Sequence, residues 1–139
     1  MALGDSLVTS VAVVGAGAAG LVAAIFAASQ GADVLLIERT PDGGRKILIS
    51  GGGRCNILPS VLAPERFVTD SPAHVMRGML KSWPLHEQRA FFENDLHIPL
   101  ALEEDSGKLF PKSNRAQIFL LPKHNRVVII EDDPRILPM

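Results

Sequence analysis

An α/β fold is predicted by three observations in the first forty residues. The run Val11-Ala12-Val13-Val14 is short, apolar and mostly β-branched, without alternation, which is the pattern of a strand buried in a parallel sheet. It leads into Gly15-Ala16-Gly17-Ala18-Ala19-Gly20 and then an Ala-rich stretch from Ala18 to Gln30 that ends at Gly31, a helix closed by a C′ glycine. Val34-Leu35-Leu36-Ile37 is a second buried strand, and Glu38 ends it 18 residues past Gly20. Strand, Gly-rich turn, helix, strand and acid make up a right-handed Rossmann-type βαβ unit of the FAD/NAD(P)-binding kind.

Each glycine of the turn has its own task. Gly15 allows the tight turn out of the strand, Gly17 lets a pyrophosphate approach the backbone, and Gly20 lets the helix pack close to the strand. The helix start, at Ala18 and Ala19, offers N–H groups and partial positive charge to phosphate. A carboxylate at Glu38 suits ribose hydroxyls and would repel a 2′-phosphate, so NADP is disfavoured here. Arg39, beside it, is either a cofactor contact or a solvated surface charge. The motif is weak alone and is supported by its place between a strand and a helix, with the acid at the expected distance.

Composition excludes several classes. The 139 residues are 47% hydrophobic and 21% charged, the balance of a folded chain with one modest core. A net charge of −1 gives no bulk attraction to nucleic acid or anionic membrane, and neither is expected as a partner. The single cysteine, Cys55, permits no intramolecular disulfide, which fits a reducing, cytoplasmic setting. Val11 to Ala28 holds 18 residues with no charge, close to the length of a membrane span. Its three glycines are spaced for a phosphate turn, however, and the residues before it carry Asp5 and no Lys or Arg.

Beyond the second strand, Thr40 to Ser60 reads as a Gly-rich, basic loop of a length that compact domains reserve for function. Asp70-Ser71-Pro72 starts a helix on which Val75, Met76, Met79, Leu80 and Trp83 recur at helical spacing, a core stripe. Pro84 opens another helix with Leu85, Phe92 and Leu96 on one stripe. Ile98 to Glu103 and Lys108 to Phe110 pair as a short hairpin around Asp105-Ser106-Gly107. Ser113 caps a short helix, Arg126 to Ile130 is strand-like, and the last nine residues are irregular.

The segment Gly44-Arg45-Lys46 through Ser50-Gly51-Gly52-Gly53-Arg54-Cys55-Asn56 is a second candidate cofactor-facing element. Arg45, Lys46 and Arg54 can neutralise a pyrophosphate, and consecutive glycines such as Gly52 and Gly53 expose N–H donors. This run resembles the BaiN-like flavoproteins, also called the aminoacetone oxidase family (YhiN-type) of FAD-binding enzymes. In that family a GxGxxG turn and a Glu-Arg pair precede GRK…SGGGRCN. Phe91-Phe92-Glu93 and Gly107 to Ala116 resemble two further motifs of the family, so the likeness covers roughly residues 8 to 116. The resemblance implies FAD as cofactor, with the ADP half on the GxGxxG turn and Arg54 to Asn56 towards the pyrophosphate or flavin. It implies an oxidoreductase that acts on a small-molecule substrate, with NAD(P)H or an organic molecule as the other redox party.

Two departures from the family pattern shape the domain reading. Ile57-Leu58-Pro59 stands where the family has a Thr-Asn pair after Arg-Cys-Asn, and Gln117 to Met139 does not continue the family's helix. The expectation is an incomplete doubly wound fold: residues 1–116 as the N-terminal part of an FAD-binding domain, and residues 117–139 as a divergent tail of a truncated or frame-shifted chain, poorly ordered from Pro122 to Met139. The alternatives are a non-catalytic nucleotide-binding fragment and an NAD-dependent dehydrogenase fragment. Cys55 is either a redox thiol or a small residue packing a tight loop. His74, His86, His97 and His124 show no metal-ligand spacing, no metal is expected, and no catalytic residue is assigned.

Overall fold

The computed structural model describes residues 11–40 and 43–116, together with the backbone of 127–131. They fall into two compact units, one of residues up to Ile49 with the 127–131 segment, the other starting at Ser50.

The first unit is a parallel three-stranded sheet with one long helix. Strand β1 (Val11–Val14), helix α1 (Ala18–Ser29) and strand β2 (Val34–Glu38) follow one another as the hydrophobic pattern predicts. β1 and β2 pair from Val11↔Val34 to Val14↔Ile37. Helix α1 ends where expected: Gly31 adopts φ +90°, its N–H bonds Ala28 O, and Ala32 N–H bonds Ala27 O. This double closure satisfies two carbonyls of the last turn and needs a residue at ease with positive φ. The core forms where Ala24 and Ala28 of the helix meet Val34, with Val11 and Val13 packed against them. Alanines on that face bring helix and sheet close together, and Leu36 in β2 is fully buried.

Three expectations are revised in this unit. β1 is not covered on both faces: it alternates half-buried Val11 and Val13 with exposed Ala12 and Val14, the latter 82% exposed. In the described sheet it is an edge strand, because the order is β1, β2, then 127–131. The Gly-rich loop after β2 contains a helix, α2 (Arg45–Ile49), where Gly44 turns the chain and Ile47 is buried. The strand-like stretch read at 126–130 does form a strand, at 127–131, parallel to β2 from Val34↔Val127 to Glu38↔Glu131, within a tail otherwise expected to be poorly ordered. The rest of 117–139 lies outside the described residues. The apolar stretch 11–28 is divided among β1, the turn and α1, and no described helix is long and apolar enough to cross a membrane.

In the second unit a tight turn (Ser50–Gly53) precedes strand β3 (Leu58–Pro59). Helices α3 (Ala73–Ser82) and α4 (Leu85–Ala90) follow, and α4 widens into a π-turn at Phe91–Asp95. Strands β4 (Leu100–Glu103) and β5 (Lys108–Pro111) form the expected hairpin, Leu100↔Pro111 to Glu103↔Lys108. β3 adds to β5 through Leu58↔Leu109, a pairing with no local signal. Trp83, Phe91 and Phe92 stack edge to face, with centroids 5.5 and 5.2 Å apart. Glu93 ties the π-turn down: its carboxylate pairs with Arg89 at 2.9 Å and accepts Leu100 N–H at 3.1 Å. The α3 stripe is shallower than a core stripe. Val75, Met76, Leu80 and Trp83 are half-buried, and Met79 is 63% exposed.

Leu36 lies at the centre of the parallel sheet with no solvent exposure. Leu36→Ala should lower unfolding free energy by about 2–5 kcal/mol through lost transfer energy and an unfilled cavity. Urea denaturation reads this as a lower midpoint at unchanged slope. An unchanged midpoint would show that the sheet does not carry the unit's stability.

Candidate functional site

The phosphate turn is organised around Ala16, a 3%-exposed residue between the first two glycines. Its N–H donates to Glu38 Oε2 at 2.7 Å, and its carbonyl accepts Gly44 N–H at 2.9 Å. Gly15 adopts φ +95°, which carries the chain out of β1, and its N–H reaches Ile37 O at 2.7 Å. The turn is thus tied to the end of β2 and to the start of α2.

Gly17 and Gly20 play different parts. A Cβ on Gly20 would overlap the carbonyl oxygen of Gly15, so this glycine is needed for the helix to approach the strand. A Cβ on Gly17 would meet nothing within 4 Å, and its φ of −74° suits any residue. The fold itself does not need glycine at 17, which leaves open space over the helix start. The first helical hydrogen bond runs from Leu21 N–H to Gly17 O at 2.9 Å, so the N–H groups of Ala18, Ala19 and Gly20 have no acceptor within the helix. An exposed backbone step beside these donors fits a pyrophosphate. These are the residues that would hold the phosphates of a dinucleotide.

Glu38 is engaged before any ligand arrives. Besides Ala16 N–H on Oε2, its Oε1 accepts both the N–H and the hydroxyl of Thr40, each at 2.8 Å. The Thr40 N–H, then the Ala16 N–H, then the Thr40 hydroxyl hold the carboxyl below its ordinary value. Partial burial opposes them, and the Arg39 N–H adds the weakest favourable pull. Arg39, Arg45 and Lys46 have exposed side chains. Arg45 and Lys46 open α2 directly after Gly44, which the bond to Ala16 O fixes beside the phosphate turn.

In the second unit, the run Gly51-Gly52-Gly53 takes φ +56°, +68° and +84°, three consecutive left-handed residues that only glycines adopt readily. A Cβ on Gly51 would come within 2.5 Å of Phe110 Cε1, so this glycine, not singled out from sequence, is needed for packing as well as conformation. Gly52 and Gly53 are exposed, as is Asn56. Arg54 is not an idle cation. Its Nε donates to Gly51 O at 3.0 Å, its Nη1 pairs with Glu103 Oε1 at 2.7 Å, and its guanidinium lies 4.3 Å from the centroid of Phe110. Ser106 Oγ–H donates to the other Glu103 oxygen at 2.6 Å, and this bond, then Arg54, lowers the Glu103 carboxyl. Cys55 is buried at φ +64°, and burial pushes its thiol up, against a smaller opposing pull from Ser50. Burial and the raised thiol disfavour the thiolate, which supports the packing role over the redox one. Among the described residues no cluster of His, Cys, Asp and Glu is arranged to hold a metal, and His124 lies outside them.

The sequence matches the model of the HI0933-like protein Rossmann domain over residues 9–127. The chain belongs to this family. The family match runs past Ala116, where the motif likeness read from sequence stops, and reaches the first residue of the strand at 127–131. HI0933-like Rossmann domains bind FAD, the cofactor expected from the glycine turn and the SGGGRCN run. Among curated proteins, the chain is 32% identical over 108 residues to the 3-dehydro-bile acid delta(4,6)-reductase of Clostridium scindens, covering 76% of this chain and 25% of that protein. It is 43% identical over 60 residues to the ribosomal RNA dihydrouridine synthase of Escherichia coli, covering 43% and 15%. It is 45% identical over 53 residues to the probable fumarate reductase Ifc3 of Shewanella frigidimarina, covering 38% and 9%. The chain therefore spans a quarter or less of the length of these relatives.

Sequence reasoning missed the roles of Thr40, Glu103 and Phe110, and placed Gly44 and Gly51 in the loop without the contacts that make them necessary. Thr40 follows the Glu-Arg pair directly and was legible as a local capping hydroxyl. Glu103 and Phe110 carry no such signal, since they meet Arg54 only through the hairpin.

The two glycines can be separated by experiment. Gly17→Val should shift unfolding free energy by under about 1 kcal/mol, a helix-cap effect. It should weaken FAD or ADP by about 2 kcal/mol, roughly thirtyfold, by overpacking the phosphate approach. Gly20→Ala should lower stability and affinity together. Paired denaturation and titration test this, and equal ligand binding by wild type and Gly17→Val would make the turn purely structural.

Glu38 also gives a pH signature. Its folded-state pKa lies below the unfolded one, so its stabilisation is complete above the unfolded carboxylate value of about 4.3 and is lost as pH falls through the depressed folded value. The stability gap between wild type and Glu38→Gln should be flat above about pH 5.5 and shrink below about pH 4.3. A gap that persists unchanged to pH 2 would contradict the bonding described.

Proposed function

We propose that this chain supplies the ADP-binding portion of an FAD-dependent oxidoreductase that saturates a carbon–carbon double bond in a small-molecule substrate. The observation that carries the reading is the open backbone at Gly17, beside three N–H groups without helical acceptors and opposite an oriented Glu38 carboxylate, in a chain of an FAD-binding family. Gly15, Gly17, Ala18, Ala19 and Gly20 would hold the pyrophosphate and Glu38 the ribose. Arg39, Arg45 and Lys46 would add positive charge on the same unit. Gly52, Gly53, Arg54, Cys55 and Asn56 would shape the second loop. There Arg54 acts through Glu103 and Phe110, and the exposed Gly52 and Gly53 offer N–H donors.

The reaction class rests on the names of the relatives. A delta(4,6)-reductase, a dihydrouridine synthase and a fumarate reductase each name the saturation of a carbon–carbon double bond, on three different substrates. Bound FAD supplies the two-electron chemistry, and the residues described here bind and orient it. A small molecule is preferred to RNA as substrate because a net charge of −1 gives no bulk attraction to phosphate. NAD(P)H is the proposed electron source, and the cytoplasm, a reducing compartment, suits a chain whose one thiol is free.

Heat-released cofactor from the purified protein should prove to be FAD by chromatography and mass, with flavin absorbance before release. Recovery of FMN, or of NADP without flavin, would overturn the cofactor assignment. The reduced holoprotein should be reoxidised without oxygen by a conjugated enone or enoate and not by the saturated analogue. Equal reoxidation by both would reject the reaction class.

A further inference from the structure

The Glu38 carboxylate has about four acceptor positions, and three take full hydrogen bonds from the protein: two on Oε1 from Thr40 and one on Oε2 from Ala16, with the Arg39 N–H adding only a weaker pull. The two sets of donors approach from different segments. Thr40 sits two residues along the chain from Glu38, and Ala16 lies 22 residues away in the phosphate turn. Such a carboxylate cannot rotate to present both oxygens to a vicinal diol without breaking bonds to Thr40.

We propose that Thr40 is a positioning residue of the adenosine end of this site: by filling Oε1 of Glu38 from its N–H and its hydroxyl, it leaves a single acceptor position on Oε2, so that Glu38 reads one ribose hydroxyl and not two. This rests on the reading that Gly15–Gly20 and Glu38 hold the ADP half of the cofactor. The lowered pKa of Glu38 is consistent with it, since the donors that cage the carboxylate favour its ionised form. Thr40 itself touches no ligand. It acts by sparing the ligand the cost of ordering the Glu38 side chain and by setting which oxygen is presented.

The test is titration of the chain with ADP, 2′-deoxy-ADP and 3′-deoxy-ADP, using wild type, Thr40→Val, Thr40→Ser and Gly17→Val, with thermal melts of each. In wild type, one deoxy analogue should bind about tenfold more weakly than ADP, the loss of one hydrogen bond to a charged group, and the other less than about threefold more weakly. Thr40→Val keeps the side-chain shape and removes the hydroxyl. It should weaken ADP about tenfold and bring the two deoxy penalties together, and Thr40→Ser should restore both the affinity and the asymmetry. A role in folding alone would lower the melting point without changing the ratio between the analogues. Equal deoxy penalties in wild type, or wild-type ADP binding by Thr40→Val, overturns the role of Thr40. If ADP binds Gly17→Val as tightly as wild type, or binds none of the four proteins, the underlying cofactor site falls and the proposal with it.

Discussion

The hydrogen bond from Ala16 N–H to Glu38 Oε2 is the contact on which the rest of the first unit turns. A phosphate turn must expose backbone donors to a ligand, yet a buried residue within it cannot leave its own N–H and C=O unpaired. Ala16 meets both demands by sending its N–H to the end of β2 and its C=O to the start of α2. The glycines on either side can then keep their surfaces clear. Parallel pairing of β1 with β2 brings the two segments together, and the acid at the strand end is what makes the junction chemically useful.

The charges of the unit divide accordingly. Glu38 is committed to protein donors and oriented by them, whereas Arg45 and Lys46 stand exposed at the start of a short helix beside the turn. In the proposed ADP site a fixed anion faces the ribose and exposed cations stand near the phosphates, an arrangement complementary to the two ends of an ADP moiety. The same economy appears in the second unit, where Arg54 binds a carbonyl, a carboxylate and a ring at once. An arginine so engaged serves the shape of the Gly51–Gly53 turn. A solvent-screened ion pair of this kind contributes little on its own, so its weight lies in geometry and in ring contact.

The departures from expectation share a cause. β1 was read as fully buried because all four residues are apolar, but composition does not reveal how many neighbours a strand has. As an edge of the described sheet it leaves Val14 82% exposed. The Met79 face of α3 was read as core because its spacing is helical, yet spacing shows only that one face is apolar and not what lies against it. The segment after β2 looked irregular because glycines flank it, and the five residues of α2 were enough for a buried Ile47 and one helical turn.

Local chemistry alone settled the βαβ unit. The run of β-branched residues, the spacing of Gly15, Gly17 and Gly20, the C′ glycine at 31 and the hairpin turn near Gly107 each depend on residues within a turn or two of one another. The dinucleotide-binding character was legible in the same string, whereas FAD was implied by the family resemblance of the SGGGRCN run. Tertiary structure decided what joins distant segments: 127–131 beside β2, β3 beside β5, Glu38 to Ala16 across 22 residues, and Arg54 to Glu103 across 49. Such contacts leave no periodicity in the chain. A carboxylate or guanidinium meets the nearest compatible partner, and only the packed backbone determines which partner that is.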